Sequence, residues 1–147
     1  RAGNFVHSEE EINQMKTDIE RAKHAGAAGV VFGLLTAKNK IDVENTRLLA
    51  EYAHPLPITF HKAIDEIPDM EAAVEQLKSI PFLKYILTSG GAPTAQAGLG
   101  QLRRLLKCAA PEITVIAAGS VTSTNLQHLH QALGARQYHG RKIVGEL

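Results

Sequence analysis

The sequence predicts an α/β fold built from about five βα units of a TIM-type (β/α)8 barrel, strands 4 to 8, with the N-terminal strands missing. Three observations carry this reading. Five short apolar runs recur, at Val30–Leu35, Ile58–Phe60, Tyr85–Leu87, Thr114–Ala118 and Arg136–His139. Reference positions within them (Val30, Ile58, Ile86, Val115 and Tyr138) lie 28, 28, 29 and 23 residues apart. Helical apolar patterns fill the intervals, and such alternation means βαβ crossovers and a parallel sheet. A doubly wound sheet usually varies its loop lengths and shows a glycine-rich first turn, whereas the pitch here is nearly constant. A full barrel needs about 250 residues. The chain, 1–147, is therefore expected to be one incomplete domain, and its start at Arg1 rather than Met fits a fragment.

Each helix has its own signals. Ser8 followed by Glu11 forms a capping box, and Ile12, Met15, Ile19 and Ala22 make an apolar face that stops at Gly26. Asp42 caps the second helix, which carries Leu48, Leu49 and Tyr52. Pro68 is expected in the first turn of the third, ahead of Ala73, Val74 and Leu77. Leu99, Leu102, Leu105 and Leu106 mark the fourth. Ser123 or Thr124 starts the fifth, with Leu126, Leu129 and Leu133. The short runs between them, rich in Val, Ile, Leu and Phe, read as buried parallel strands.

Composition narrows the function classes. Lys and Arg number 16 against 15 Asp and Glu, a net charge of +1, which argues against a nucleic-acid or acidic-membrane partner. No apolar run reaches the length of a membrane span, and no signal peptide is visible. The single cysteine, Cys108, excludes a disulfide framework and a Cys-rich metal module, so a cytoplasmic, reducing compartment is expected.

In a parallel α/β protein the ligand site lies at the C-terminal ends of the strands. His61 stands there in Thr59-Phe60-His61-Lys62-Ala63-Ile64-Asp65. Alternation puts Thr59 and His61 on one face, so His61 is a candidate acid or base at the mouth. A structural histidine bonded to a neighbouring strand is the plainer alternative. Asp65 is a second catalytic candidate, as the group that orients His61, or else the cap of the next helix. Thr88, Ser89 and Gly90 end one strand, and Gly119 and Ser120 end the next. Their hydroxyls and glycine turns suit an anion such as phosphate. His139 and Arg141 close the last strand and add positive charge, and Arg1 enters the same mouth. Thus the expected partner is a small anionic molecule. No metal site is assigned: His128 and His130 point to different faces of one helix, and one thiol without partners makes no copper or zinc site.

The same strand ends resemble the CutC family of copper homeostasis proteins. Thr59-Phe60-His61-Lys62-Ala63-Ile64-Asp65 is similar to that family's T-F-H-R-A-F-D, and Leu87-Thr88-Ser89-Gly90 to its L-T-S-G. Arg1-Ala2-Gly3-Asn4-Phe5 resembles the end of R-x-R-G-G-D-F, with Ala2 and Asn4 replacing a Gly and an Asp. His139 stands where the last strand carries E-x-H, followed here by Gly140. The resemblance implies a TIM-type barrel entered after its third strand, a link to copper homeostasis with copper as a possible cofactor, and a homo-oligomer. It also implies that the family's copper-linked cysteines belong to strands this chain lacks. Three readings stay open: a copper-handling protein, an enzyme acting on a small phosphorylated or carboxylated metabolite through His61, and a non-catalytic scaffold.

Overall fold

The computed structural model describes residues 4–144. It contains, in order, α1 (Glu9–His24), β1 (Val30–Phe32), α2 (Val43–Ala53), β2 (Ile58–Phe60), a 3-10 helix (Lys62–Glu66), α3 (Met70–Lys78), β3 (Leu83–Thr88), α4 (Leu99–Ala109), β4 (Thr114–Ala118), α5 (Leu126–Leu133) and β5 (Gln137–His139). The α1 cap is the expected capping box: Glu11 N–H donates to Ser8 Oγ at 3.3 Å, and Ser8 N–H to Glu11 Oε2 at 2.8 Å. Three glutamates in its first turn and Arg21, Lys23 and His24 in its last complement the helix dipole. Asp42 caps α2 through the Asn45 N–H at 3.1 Å.

Other boundaries differ from the sequence expectation, each for a local reason. Pro68 lies outside α3, because Asp69 takes the cap position and accepts from Ala72 N–H at 3.0 Å. Neither Ser123 nor Thr124 caps α5; Asn125 precedes it and uses its side chain to bind the loop behind, accepting from Thr122 N–H and donating to Ser120 O, both at 2.8 Å. The first strand stops at Phe32, and Leu35 leaves the sheet to bridge Ile41 in antiparallel sense.

The five strands form one parallel sheet in the order β1-β2-β3-β4-β5. This order decides the architecture. Crossovers between parallel strands are right-handed, so strands added always on the same side place every helix on one face. A doubly wound sheet reverses direction and covers both faces. Here Ile58, Phe60, Ile86, Val115 and Ala117 face the helices and are buried. Their chain neighbours Thr59, Tyr85, Leu87, Thr114 and Ile116 are only half-buried, and Val31 is 61% exposed. A one-sided parallel sheet of this kind matches part of a TIM-like barrel, in which the second face turns inward.

Candidate functional site

The polar residues gather at the C-terminal ends of the strands, because each strand there gives way to a loop. His61 follows β2 in extended conformation and caps the 3-10 helix, its Nδ1 accepting from Ala63 N–H at 3.2 Å. That bond fixes the neutral tautomer, since a ring nitrogen that accepts carries no proton; the proton sits on Nε2. Burial pushes the imidazole below the ordinary histidine value; a hydrogen bond with its own backbone opposes this, and nearby His7 reinforces it. The ring packs against Phe5, 5.1 Å away between centroids, and lines a cavity of about 320 Å³ with His7, Glu11, Met15, Phe32 and Gly33. Gly33 is what admits it. A Cβ there would lie 2.5 Å from His61 Nδ1 and 2.8 Å from Cε1.

Asp65 neither orients His61 nor caps α3. It reaches across to the end of β3 instead. Its Oδ1 accepts from Thr88 Oγ1 at 2.5 Å, Gly91 N–H at 2.9 Å and Ser89 N–H at 3.2 Å. Its Oδ2 accepts from Lys62 Nζ at 2.6 Å and lies 3.0 Å from Ser89 Oγ. Lys62 Nζ also donates to Ser89 Oγ. Burial works against ionisation of this carboxyl, but the Lys62 ammonium, the Thr88 hydroxyl and the Gly91 N–H outweigh it and hold it below the usual carboxylate range. Asp65 turns to β3 because the donors are there. His61 has no proton on the nitrogen nearest the helix start, whereas the β3 turn offers two N–H groups and two hydroxyls.

The remaining candidates divide between two places. Thr88 and Ser89 are fully buried, and with Gly90, whose N–H donates to Thr88 Oγ1 at 2.9 Å, they belong to the Asp65 cluster. His139 ends β5 on the open face of the sheet, where it lines a cavity of about 460 Å³ with Val31, Thr59, Leu87 and Ile116. Arg141 is exposed, and among the described residues neither its side chain nor that of His139 has a hydrogen-bond or ion-pair partner. Gly119 and Ser120 turn the chain out of β4 with φ of 103° and 55°, and the Gly119 carbonyl accepts from Ala95 N–H at 2.9 Å. Arg1 lies outside the described residues. The sequence places Gly33 and Lys62 among the strand-end positions of a ligand site but gives neither a specific role, because their partners are 28 and 27 positions away.

Among the described residues no group of three or more His, Cys, Asp and Glu side chains could hold a metal ion. Cys108 lies on α4 against α3, its thiol donating to Glu75 Oε1 at 3.3 Å. Burial pushes this thiol up, and Glu75 adds to the effect. None of the described helices is long and apolar enough to cross a membrane.

Fold and site together define a parallel α/β protein of the TIM-like class with a polar strand-end region rich in histidine. Comparison with known proteins sharpens the class: the CutC family model matches residues 1–144, and the chain belongs to the CutC family. It is 42% identical over 139 residues to the human copper homeostasis protein cutC homolog, covering 95% of this chain and 50% of that one. A CutC family protein of Vibrio vulnificus is 39% identical over 141 residues, covering 95% of this chain and 56% of the relative. The chain thus spans about half the length of the curated relatives it matches. The crystal structure of the copper homeostasis protein CutC from Streptococcus agalactiae superposes with a TM-score of 0.92 at 33% identity, covering 97% of this chain and 70% of that chain. A mandelate oxidase variant, 18% identical with a TM-score of 0.60, covering 93% of this chain and 46% of that chain, shares the fold alone.

Proposed function

We propose that this chain supplies five units of a closed barrel whose mouth binds a small phosphorylated or carboxylated molecule in the service of copper homeostasis. The observation that supports this is the state of His61: a half-buried neutral imidazole with Nδ1 committed to Ala63, so that Nε2–H is a fixed donor. A donor of that kind hydrogen-bonds an anionic oxygen, and it releases its proton to one only where negative charge accumulates. Acting as a base would require the other tautomer and loss of the Ala63 bond. Exposed Arg141 and His139 add the donors that would orient an oxyanion. The cytoplasm is the compartment expected for such a ligand, and the open inner face and edges suit assembly with further strands or copies of the chain.

Copper fits these residues poorly. Soft Cu(I) favours thiolate and thioether ligands, and the sulfur atoms here, Met15 on α1, Met70 on α3 and Cys108 on α4, sit on three different helices. No step is therefore routed through the metal on this chain. Thermal unfolding of the full chain, run with a panel of phosphorylated and carboxylated metabolites and separately with Cu(I), tests the reading. Stabilisation of several degrees by one anion, lost in Arg141→Ala and weakened in His61→Ala, is expected. Tight one-to-one stabilisation by Cu(I) with no response to any anion would overturn it.

A further inference from the structure

We infer that the turn from Thr88 to Gly91 is a carboxylate receptor, and that Asp65 is its built-in ligand. The carboxylate is nine-tenths buried, with 10% of its side-chain surface exposed. It meets two backbone N–H groups of Ser89 and Gly91, the Thr88 hydroxyl and the Lys62 ammonium, with the Ser89 hydroxyl alongside, its one proton shared between Asp65 Oδ2 at 3.0 Å and Ala92 O at 2.6 Å. This is how proteins enclose a free oxyanion: successive N–H groups turned to one point, with hydroxyls and a cation completing the shell. The turn does not owe its shape to Asp65. Gly90 and Gly91 both adopt positive φ, 72° and 70°, a backbone course that puts the Gly91 N–H on Asp65 while the Gly90 N–H braces Thr88 Oγ1. From behind, Gly98 packs directly on the Ser89 carbonyl, and a Cβ on Gly90 would lie 2.7 Å from Gly98 O. The receptor is thus held by the start of α4, while its ligand arrives from the 3-10 helix on the other side.

Two consequences follow, and neither depends on the proposed function. With Asp65 in place, free anions are excluded from the turn, and Lys62 is already neutralised. With Asp65 shortened, the same donors converge on an empty site of net charge +1, matched to a small monovalent carboxylate such as formate.

The test uses the full chain carrying Asp65→Ala, unfolded thermally in chloride and in formate at equal ionic strength. The variant is expected to melt several degrees below the parent in chloride. Formate in the millimolar range should restore more than half of that loss and shift the Ser89 and Gly91 amide resonances, while leaving the parent unchanged. Indistinguishable behaviour in formate and chloride, or unmoved amides, would overturn the receptor. Asp65→Asn serves if the alanine variant fails to fold. Its amide cannot accept from Lys62 and the turn together, so it should melt well below the parent; an asparagine variant as stable as the parent would refute the assignment.

Discussion

Phe60 and Thr59 are neighbours in the chain and live in opposite surroundings. Phe60 is fully buried under the helices, among Ile58, Ile86, Leu49 and Val74, all without exposed surface. Thr59 points to the other face, where it borders an open cavity with Leu87, Ile116 and the 61% exposed Val31. The contrast teaches that one face of this sheet is packed under the helices and the other stays open among the described residues. The strand-end chemistry is arranged along the seam between them.

Four measurements would break or sharpen that contrast. The largest effect belongs to the helix-facing side. Phe60→Ala should cost about 3–5 kcal/mol in denaturant unfolding, whereas Val31→Ala in this chain should stay within ~0.5 kcal/mol. A Val31→Ala cost above about 1 kcal/mol would mean that the inner face is covered. At the seam, Gly33→Ala drives a methyl into His61 and should cost about 1–3 kcal/mol. It should also move the His61 ring resonances; an unmoved ring would show that the side chain sits elsewhere. On the helix layer, Ser8→Ala removes one half of the α1 capping box and should cost about 0.5–2 kcal/mol, read in the same denaturant series. A loss below that range would separate α1 from the cooperative unit.

The smallest effect is a pH dependence. The His61 value is lowered on folding, so the unfolded chain binds a proton that the folded chain resists. Its contribution is complete above the ordinary histidine value near 6.5 and declines as pH falls below it. Asp65 acts in the same sense at lower pH: its stabilisation is complete above the ordinary carboxylate value of 3.8 and is lost as pH drops through the lowered folded value. Stability of His61→Gln measured between pH 7 and pH 5 should fall less steeply than that of the parent. Parallel curves would assign the histidine no linkage.

What was legible in the sequence was the local and the periodic. Short apolar runs at a regular pitch locate all five strands, and the α1 and α2 caps are short-range patterns that stand in the sequence as Ser8-x-x-Glu11 and Asp42. His61 was found by alternation along β2. What stayed hidden was long-range pairing between polar groups. Thr88 and Ser89 read as donors awaiting an outside anion because the acceptor, Asp65, lies 23 and 24 residues earlier. Asp69 stands beside Pro68, and Asn125 beside Ser123 and Thr124, so several residues suited to a helix start lie side by side, and the local bonds of Asp69 to Ala72 and of Asn125 to Thr122 and Ser120 decide between them. Of the site, His61 and the positions of His139 and Arg141 at a strand end came from the chain alone; the division of the strand ends into an occupied cluster and an open face required coordinates.

The strictly sequential strand order has a kinetic consequence. Each strand pairs only with its neighbours in sequence, so β3 has partners on both sides and further neighbours beyond them, while β1 and β5 each end the ladder. An array of this kind unravels from its ends, as stacked repeats do. Amide hydrogens of Ile86 and Leu87 should therefore exchange with solvent only on global opening, those of Val31 and Tyr138 through local fraying, and the interval between the two rates measures how tightly one βα unit holds the next.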